Sequence, residues 1–221
     1  MTSPTLILHS HKYADDRLIV ETYTEAAGPV SFIVRINHGG RQAAVPHTIF
    51  QPLALLEISW EEHARTTLVK PTAARPLHIP HSITTHPVKS ALALFLAEFL
   101  RAALRQEPPS PQVFNYIDQA LRWLETVEDR PIANVHIAFL IRLATLLGFS
   151  PTPEELLPIC PHQHTDAIPT LLRMNLANQH LYQFTRQQRT ELLRIILLYY
   201  RQHLPAFPQM KSVEVLSLIF D

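Results

Sequence analysis

Three donor groups of the kind that bind zinc crowd into one stretch, Cys160-Pro161-His162-Gln163-His164. A structural site needs a fourth ligand, and a catalytic one keeps an open position beside three protein ligands. The stretch therefore raises the case of a metal-dependent hydrolase built on Cys160, His162 and His164. No H-E-x-x-H helix accompanies it. In a chain with 13 histidines and a single cysteine, the expectation is a loop thiol beside incidental histidines, with no metal bound. Acid–base chemistry has no better footing. Asp15-Asp16, Glu61-Glu62 and Glu154-Glu155 are sequence neighbours that face different ways rather than sharing one proton. Ser10, Ser31 and Ser59 lack the G-x-S-x-G turn of a hydrolase nucleophile. No G-x-x-x-x-G-K-[ST] run offers a cradle for ATP. The chain is expected to be no enzyme and to need no cofactor.

What remains is binding chemistry. Arg17, Arg35, Arg41 and Lys70 fall on expected strands or their connections, where cations can follow a nucleic-acid backbone. The alternative is a set of solvated surface charges, and Arg17 could equally brace Asp15 or Asp16. Tyr13, Tyr23 and Phe32 are of the types that stack on bases, although Phe32 has the parity of a core residue. Farther on, Arg194 and Arg201 stand seven apart on one expected helix face beside Tyr200, and Arg142 sits on the helix that ends at Gly148. Arginines beside an apolar groove suit an acidic, hydrophobic peptide. The alternative is helix charges that keep the surface solvated. Across the 221 residues, 19 Lys+Arg balance 19 Asp+Glu, so no net field draws the molecule onto a polyanion.

These residues need a scaffold, and the pattern of apolar residues describes one. The 47% hydrophobic and 17% charged composition is that of a globular protein. One cysteine forms no internal disulfide, no apolar run reaches membrane-spanning length, and Met1-Thr2-Ser3-Pro4 is unlike a signal peptide, so a cytoplasmic location is expected. Up to about residue 75 the pattern has period two, as in Val30, Phe32, Val34 and Ile36, and predicts strands at 5–10, 18–24, 29–37, 48–60 and 65–72. Five short strands suit a small β-barrel, with an OB-fold and an SH3-like barrel both open on strand count. Pro71, Pro76 and Pro80 read as a stiff extended linker. From His86 the period becomes 3.6, with Val88, Leu92, Phe95, Phe99 and Ala103 on one face. Ser110-Pro111 opens a second helix, a third spans about 132–147, and Thr152/Glu155 and Thr185/Gln188 are capping boxes. A terminal helix is expected from Ser212. The fold class is α+β, with a β-barrel domain over 1–78 and an all-α helical bundle over 79–221.

Three stretches in succession resemble the RecO family of recombination mediators. They are Leu8-His9-Ser10-His11-Lys12-Tyr13-Ala14-Asp15-Asp16-Arg17-Leu18-Ile19-Val20 with Tyr23-Thr24 and Gly28, then Phe50-Gln51-Pro52-Leu53, then 143–151. The ending Tyr199-Tyr200-Arg201-Gln202-His203-Leu204 is similar to the family's C-terminus. The resemblance implies an OB-fold N-terminal domain and a helical C-terminal domain. It also implies a role in recombinational repair of gaps and breaks: binding single- and double-stranded DNA, annealing strands, and acting with RecR to load recombinase onto strands covered by single-stranded-DNA-binding protein. On that basis Arg17, Arg35, Arg41 and Lys70 are expected to contact DNA, and Arg142, Arg194 and Arg201 to meet partners such as the acidic tail of single-stranded-DNA-binding protein. The resemblance implies no membrane association and a cytoplasmic place near the nucleoid. The chain departs from the family at Arg35-Ile36-Asn37-His38-Gly39-Gly40-Arg41, which lacks a dense basic run, and at the position of a four-cysteine zinc module, where it holds only Cys160, His162 and His164. An adaptor that recruits partners with little direct DNA contact is the rival expectation.

Overall fold

In the computed structural model, residues 1–35, 47–61, 68–128 and 131–219 are described. Five strands come first: β1 (Thr2–Ala14), β2 (Arg17–Thr24), β3 (Gly28–Arg35), β4 (Leu55–Trp60) and β5 (Pro71–His78). They form one antiparallel sheet in the order β3-β2-β1-β4-β5. The sheet is not a closed barrel. Its edges meet at one parallel bridge between Phe32 and Val69, where the Val69 N–H donates to Ser31 O and the Ile33 N–H to Val69 O, each at 2.9 Å. Sheet and following helices make the OB-fold-plus-helices arrangement of an α+β chain.

The fifth strand is displaced from its expected place. Residues 62–67 lie outside the described residues, and the segment that read as a proline-stiffened linker is itself β5, pairing Ile58 with Ala74, Glu57 with Arg75 and Leu56 with Pro76. Proline lacks an N–H and so is tolerated on a strand that ends the ladder. Two prolines there are compatible with a strand, which the composition of the segment concealed. The strand expected over 48–60 begins only at Leu55, after a short turn at His47–Ile49.

Eight helices follow among the described residues: α1 (Ser82–Thr85), α2 (Pro87–Ala103), α3 (Pro111–Thr126), α4 (Val135–Leu146), α5 (Pro153–Leu156), α6 (Ile168–Arg173), α7 (Arg186–His203) and α8 (Ser212–Ile219). Their starts follow the expected chemistry. Ser110 Oγ accepts from the Val113 N–H at 3.3 Å, with Pro111 in the first turn. Thr185 and Gln188 exchange bonds of 3.2 and 2.9 Å, a complete capping box. Carboxylates from other helices cap two more: Glu98 on α2 accepts from Lys211 and Ser212 at the start of α8, and Glu125 on α3 accepts from His81, Ser82 and Ile83 at α1. Each carboxylate is held below its usual range by these bonds despite the opposing effect of burial.

Two cores result. Ile7, Val20, Phe32, Phe50, Leu56 and Trp60 fill the concave side of the sheet. Leu6, Leu8, Tyr23, Leu53 and Leu55 project from its other side into the helical core around α2, α4 and α7. Sheet and helices are thus packed through shared apolar surface, reinforced where β2 meets the loop after α2. The Tyr23 hydroxyl donates to Pro108 O at 2.8 Å and accepts from the Ser110 N–H at 3.1 Å. Gly28 has φ +68°, and a Cβ there would lie 3.0 Å from both Glu107 O and Pro109 N. Gly28→Ala should therefore lower stability by at least about 1 kcal/mol. Tyr23→Phe, which leaves Ser110 without its acceptor, should cost about 1–3 kcal/mol. Urea-denaturation midpoints of the two variants check both values.

Candidate nucleic-acid interface

Strand alternation sorts the β1–β2–β3 residues onto two faces. Leu18, Val20, Phe32 and Val34 turn toward the inner core, so Arg17, Ile19, Glu21, Ser31, Ile33 and Arg35 share the outer face. The register arranges that face in rows: His9–Glu21–Ser31, then His11–Ile19–Ile33, then Arg17–Arg35 at the hairpin end. Toward the helices the outer face is covered. Toward the hairpin it is open, and the Arg17 and Arg35 side chains are 52% and 78% exposed.

The two arginines are like charges placed directly opposite each other, an unfavourable cross-strand pair unless something sits between them. Asp16 does. Its carboxylate lies 3.6 Å from Arg17 Nε and 3.2 Å from Arg35 Nε. Asp15 stands 3.8 Å from Lys12 Nζ in the same turn. Lys70 is exposed and follows Val69, the residue paired along the other edge of β3. Of the four cations expected to contact DNA, Arg35 thus lies on β3, with Arg17 and Lys70 beside its two edges. The fourth, Arg41, lies outside the described residues.

Of the aromatic candidates, Tyr23 and Phe32 are fully buried and only Tyr13, 61% exposed, faces solvent. Sequence reasoning missed His9 and His11, whose rings stack with centroids 5.5 Å apart and planes 27° apart. The bulge at Leu8, which puts both Leu8 and His9 toward the outer side, leaves no mark in the sequence. Also missed was Arg101 on α2, which grips Glu21 through two bonds of 2.6 and 2.5 Å where the open and covered halves of the face meet. Burial works against the Glu21 carboxylate, but Arg101 holds it below its usual range; His9 is likewise lowered, by burial and by the nearby Arg101.

The expected partner site changes more. Arg142, Arg194 and Arg201 are all exposed, but Tyr200 is not at the surface with them. Tyr200 is fully buried, donating to Leu140 O at 2.8 Å and packed edge-on against Phe99 and Phe149. Arg194 pairs with Glu191 at 2.5 Å and reaches Ile159 O at 3.3 Å. An apolar groove of about 490 Å³ lies instead between sheet and α2, floored by Leu8, Pro52 and Ile83, with Leu94 59% exposed and His9 and Arg101 on its rim.

The metal candidates do not converge: among the described residues no group of three His, Cys, Asp or Glu is placed to hold an ion. Cys160 is buried, its thiol is pushed up by that burial, and its sulfur donates to Pro161 O at 3.5 Å. His164 is buried beside Gln163 at 3.3 Å. No described helix is long and apolar enough to cross a membrane.

Comparison with known proteins bears on the whole chain. Residues 1–80 match the family model described as recombination protein O N terminal, and residues 85–154 the one described as recombination protein O C terminal. A DNA repair protein RecO of Bacteroides fragilis is 37% identical over 237 residues, covering 98% of this chain and 97% of the relative. That of Phocaeicola vulgatus is 33% identical over 236 residues, with the same coverages. The chain belongs to the RecO family of DNA repair proteins. The RecO protein of Porphyromonas gingivalis, 30% identical over 247 residues, matches 100% of this chain and 99% of its own length.

Seen in the fold, the stretches that carry the family resemblance are mostly packing devices. Tyr23 and Gly28 dock the loop after α2. Leu53 takes φ 66°, and its N–H donates to Ile7 O at 2.8 Å. Gly148, at φ 90°, ends α4 in the left-handed conformation that glycine adopts without penalty and turns Phe149 onto Tyr199, Tyr200 and His203.

α4 also buries His136, beside Phe95 and below Arg189, and burial followed by the arginine's charge lowers its pKa to about 3. The ordinary value is 6.5. Between the two, the unfolded chain binds a proton that the folded chain refuses. Stability is then whole above the unfolded value and falls as pH drops toward the folded one, by up to about 1.4 kcal/mol per pH unit. His136→Leu should show a shallower loss than wild type when urea unfolding at about pH 7 is compared with about pH 5.

Proposed function

We propose that the chain is a non-enzymatic recombination mediator. It binds and anneals single- and double-stranded DNA and, with RecR, helps load recombinase onto strands covered by single-stranded-DNA-binding protein during gap and break repair. It works in the cytoplasm, associated with the nucleoid, and uses no cofactor. Residues 1–78 form the DNA-binding domain and 79–221 the helical domain that contacts partners and DNA. Arg17, Arg35, Arg41 and Lys70 contact phosphates. Arg142, Arg194 and Arg201 are partner contacts that attract the acidic tail of single-stranded-DNA-binding protein. The observation that carries the reading is the Arg17–Arg35 pair, two cations set opposite each other on an open sheet face in a member of a DNA repair family.

The same observation explains how a chain of zero net charge grips a polyanion. Asp16 occupies the position between the two guanidinium groups that a phosphate would take. Exposed ion pairs are worth about 0–1 kcal/mol, so a strand carrying several phosphates can displace the carboxylate. The adaptor reading is favoured by that same carboxylate, which already satisfies both arginines.

Fluorescence anisotropy of a labelled single-stranded oligonucleotide separates the two. For a phosphate-led interface, affinity falls steeply with salt, and an Arg17/Arg35/Lys70 to alanine variant shows a flatter salt slope, by about 0.7 for each phosphate that is no longer neutralised. Asp16→Asn should bind up to about fivefold more tightly than wild type at low salt, the worth of one exposed ion pair. Absence of wild-type binding in low salt would decide for the adaptor.

A further inference from the structure

The stacked pair His9–His11 has no role in either core. His11 is exposed, its ring lies on that of His9, and its row continues across the sheet as Ile19 and Ile33, two half-buried aliphatic side chains. Tyr13 stands two residues further along the strand, in the bulge before the hairpin turn. The Arg17–Arg35 pair forms the next row. An aromatic stack, an apolar strip and a cationic edge thus follow one another on one surface of exposed and half-buried side chains.

This order matches the parts of an unpaired nucleotide, which has a flat apolar base and an anionic phosphate. A base cannot slip between the two histidines: an inserted ring needs about 6.8 Å, twice the usual 3.4 Å rise, and the centroids are 5.5 Å apart. The pair is a stack already assembled from below, its lower ring beside Glu21 and Arg101 and its upper ring exposed. Ordering one flexible ring before the ligand arrives removes part of the entropic cost of binding. Double-stranded DNA presents no free base face, so the surface distinguishes the single strand.

We propose that His11, supported by His9, is a base-stacking platform for single-stranded nucleic acid, with Ile19 and Ile33 flanking the base and Arg17 and Arg35 taking the adjacent phosphate. The proposal rests on the DNA-binding reading above and adds to it a contact with bases, where that reading invokes phosphates alone.

The test is anisotropy at one salt concentration with two labelled strands of equal length, oligo-dT and an abasic strand, against wild type, His11→Ala and His11→Phe. Stacking on one base is worth roughly 1–3 kcal/mol by alanine substitution. His11→Ala should bind oligo-dT at least about fivefold more weakly, the lower end of that range, and the abasic strand as wild type does. His11→Phe should keep wild-type affinity for oligo-dT, because it keeps a ring. Equal effects of His11→Ala on both strands, or His11→Phe as weak as His11→Ala, would overturn the platform while leaving phosphate binding intact. Failure of the wild type to bind either strand would overturn the DNA-binding reading and the platform with it.

Discussion

Three successive residues, Leu6, Ile7 and Leu8, divide one strand between two cores, and the rest of the molecule follows from that division. Ile7 enters the concave side of the sheet, while Leu6 and Leu8 enter the helical core with Tyr23, Leu53 and Leu55. Each buried aliphatic or aromatic side chain is worth about 1.5–3 kcal/mol relative to exposure. The Glu21–Arg101 pair at the edge of this contact has side chains 29% and 45% exposed, which limits it to about 1 kcal/mol. Apolar packing therefore holds sheet and helices together, and the ion pair and the Tyr23 hydroxyl set their relative orientation. Because α2 covers only one part of the outer face, the part nearest the hairpin stays open.

Much of the scaffold was legible in the sequence because local rules govern it. The period-two run through Val30, Phe32 and Val34, the Ser110 cap and the two capping boxes each depend on neighbours a few residues away. What escaped depends on partners far along the chain. Pro71 and Pro76 argue against a strand until β5 is known to end the ladder. Tyr200 looks like a surface neighbour of Arg194 and Arg201 until the buried carbonyl of Leu140 is found above it. His9 and His11, two residues apart, share a face by alternation alone, but which face they take depends on a bulge at Leu8 that no residue type marks. Arg17 and Arg35 were both read as candidate cations, but their position directly opposite each other is a property of register alone.

The charge pattern has the same origin. A chain with equal numbers of acidic and basic side chains offers a polyanion no long-range attraction. Its cations become useful only where register concentrates them, and concentration creates repulsion that the fold must relieve. Asp16 relieves it from the adjoining turn. On the proposed reading a phosphate has to replace Asp16 between the two arginines, and the affinity of the site is then the difference between two similar electrostatic interactions. That limits tight binding through phosphates alone and favours an added non-ionic contact.

The family resemblance and the proposed nucleic-acid contact rest on different residues. Tyr23, Gly28, Leu53 and Gly148 are constrained by hydroxyl bonds, close backbone approach or positive φ, each of which tolerates few alternatives. Such demands come from the fold and hold whatever the protein binds. His11, Arg35 and Lys70 are exposed and free of any such demand from the fold. A relative could vary them and remain equally recognisable, so the resemblance by itself assigns the architecture. The proposed binding surface depends instead on what this chain places on the hairpin half of its sheet.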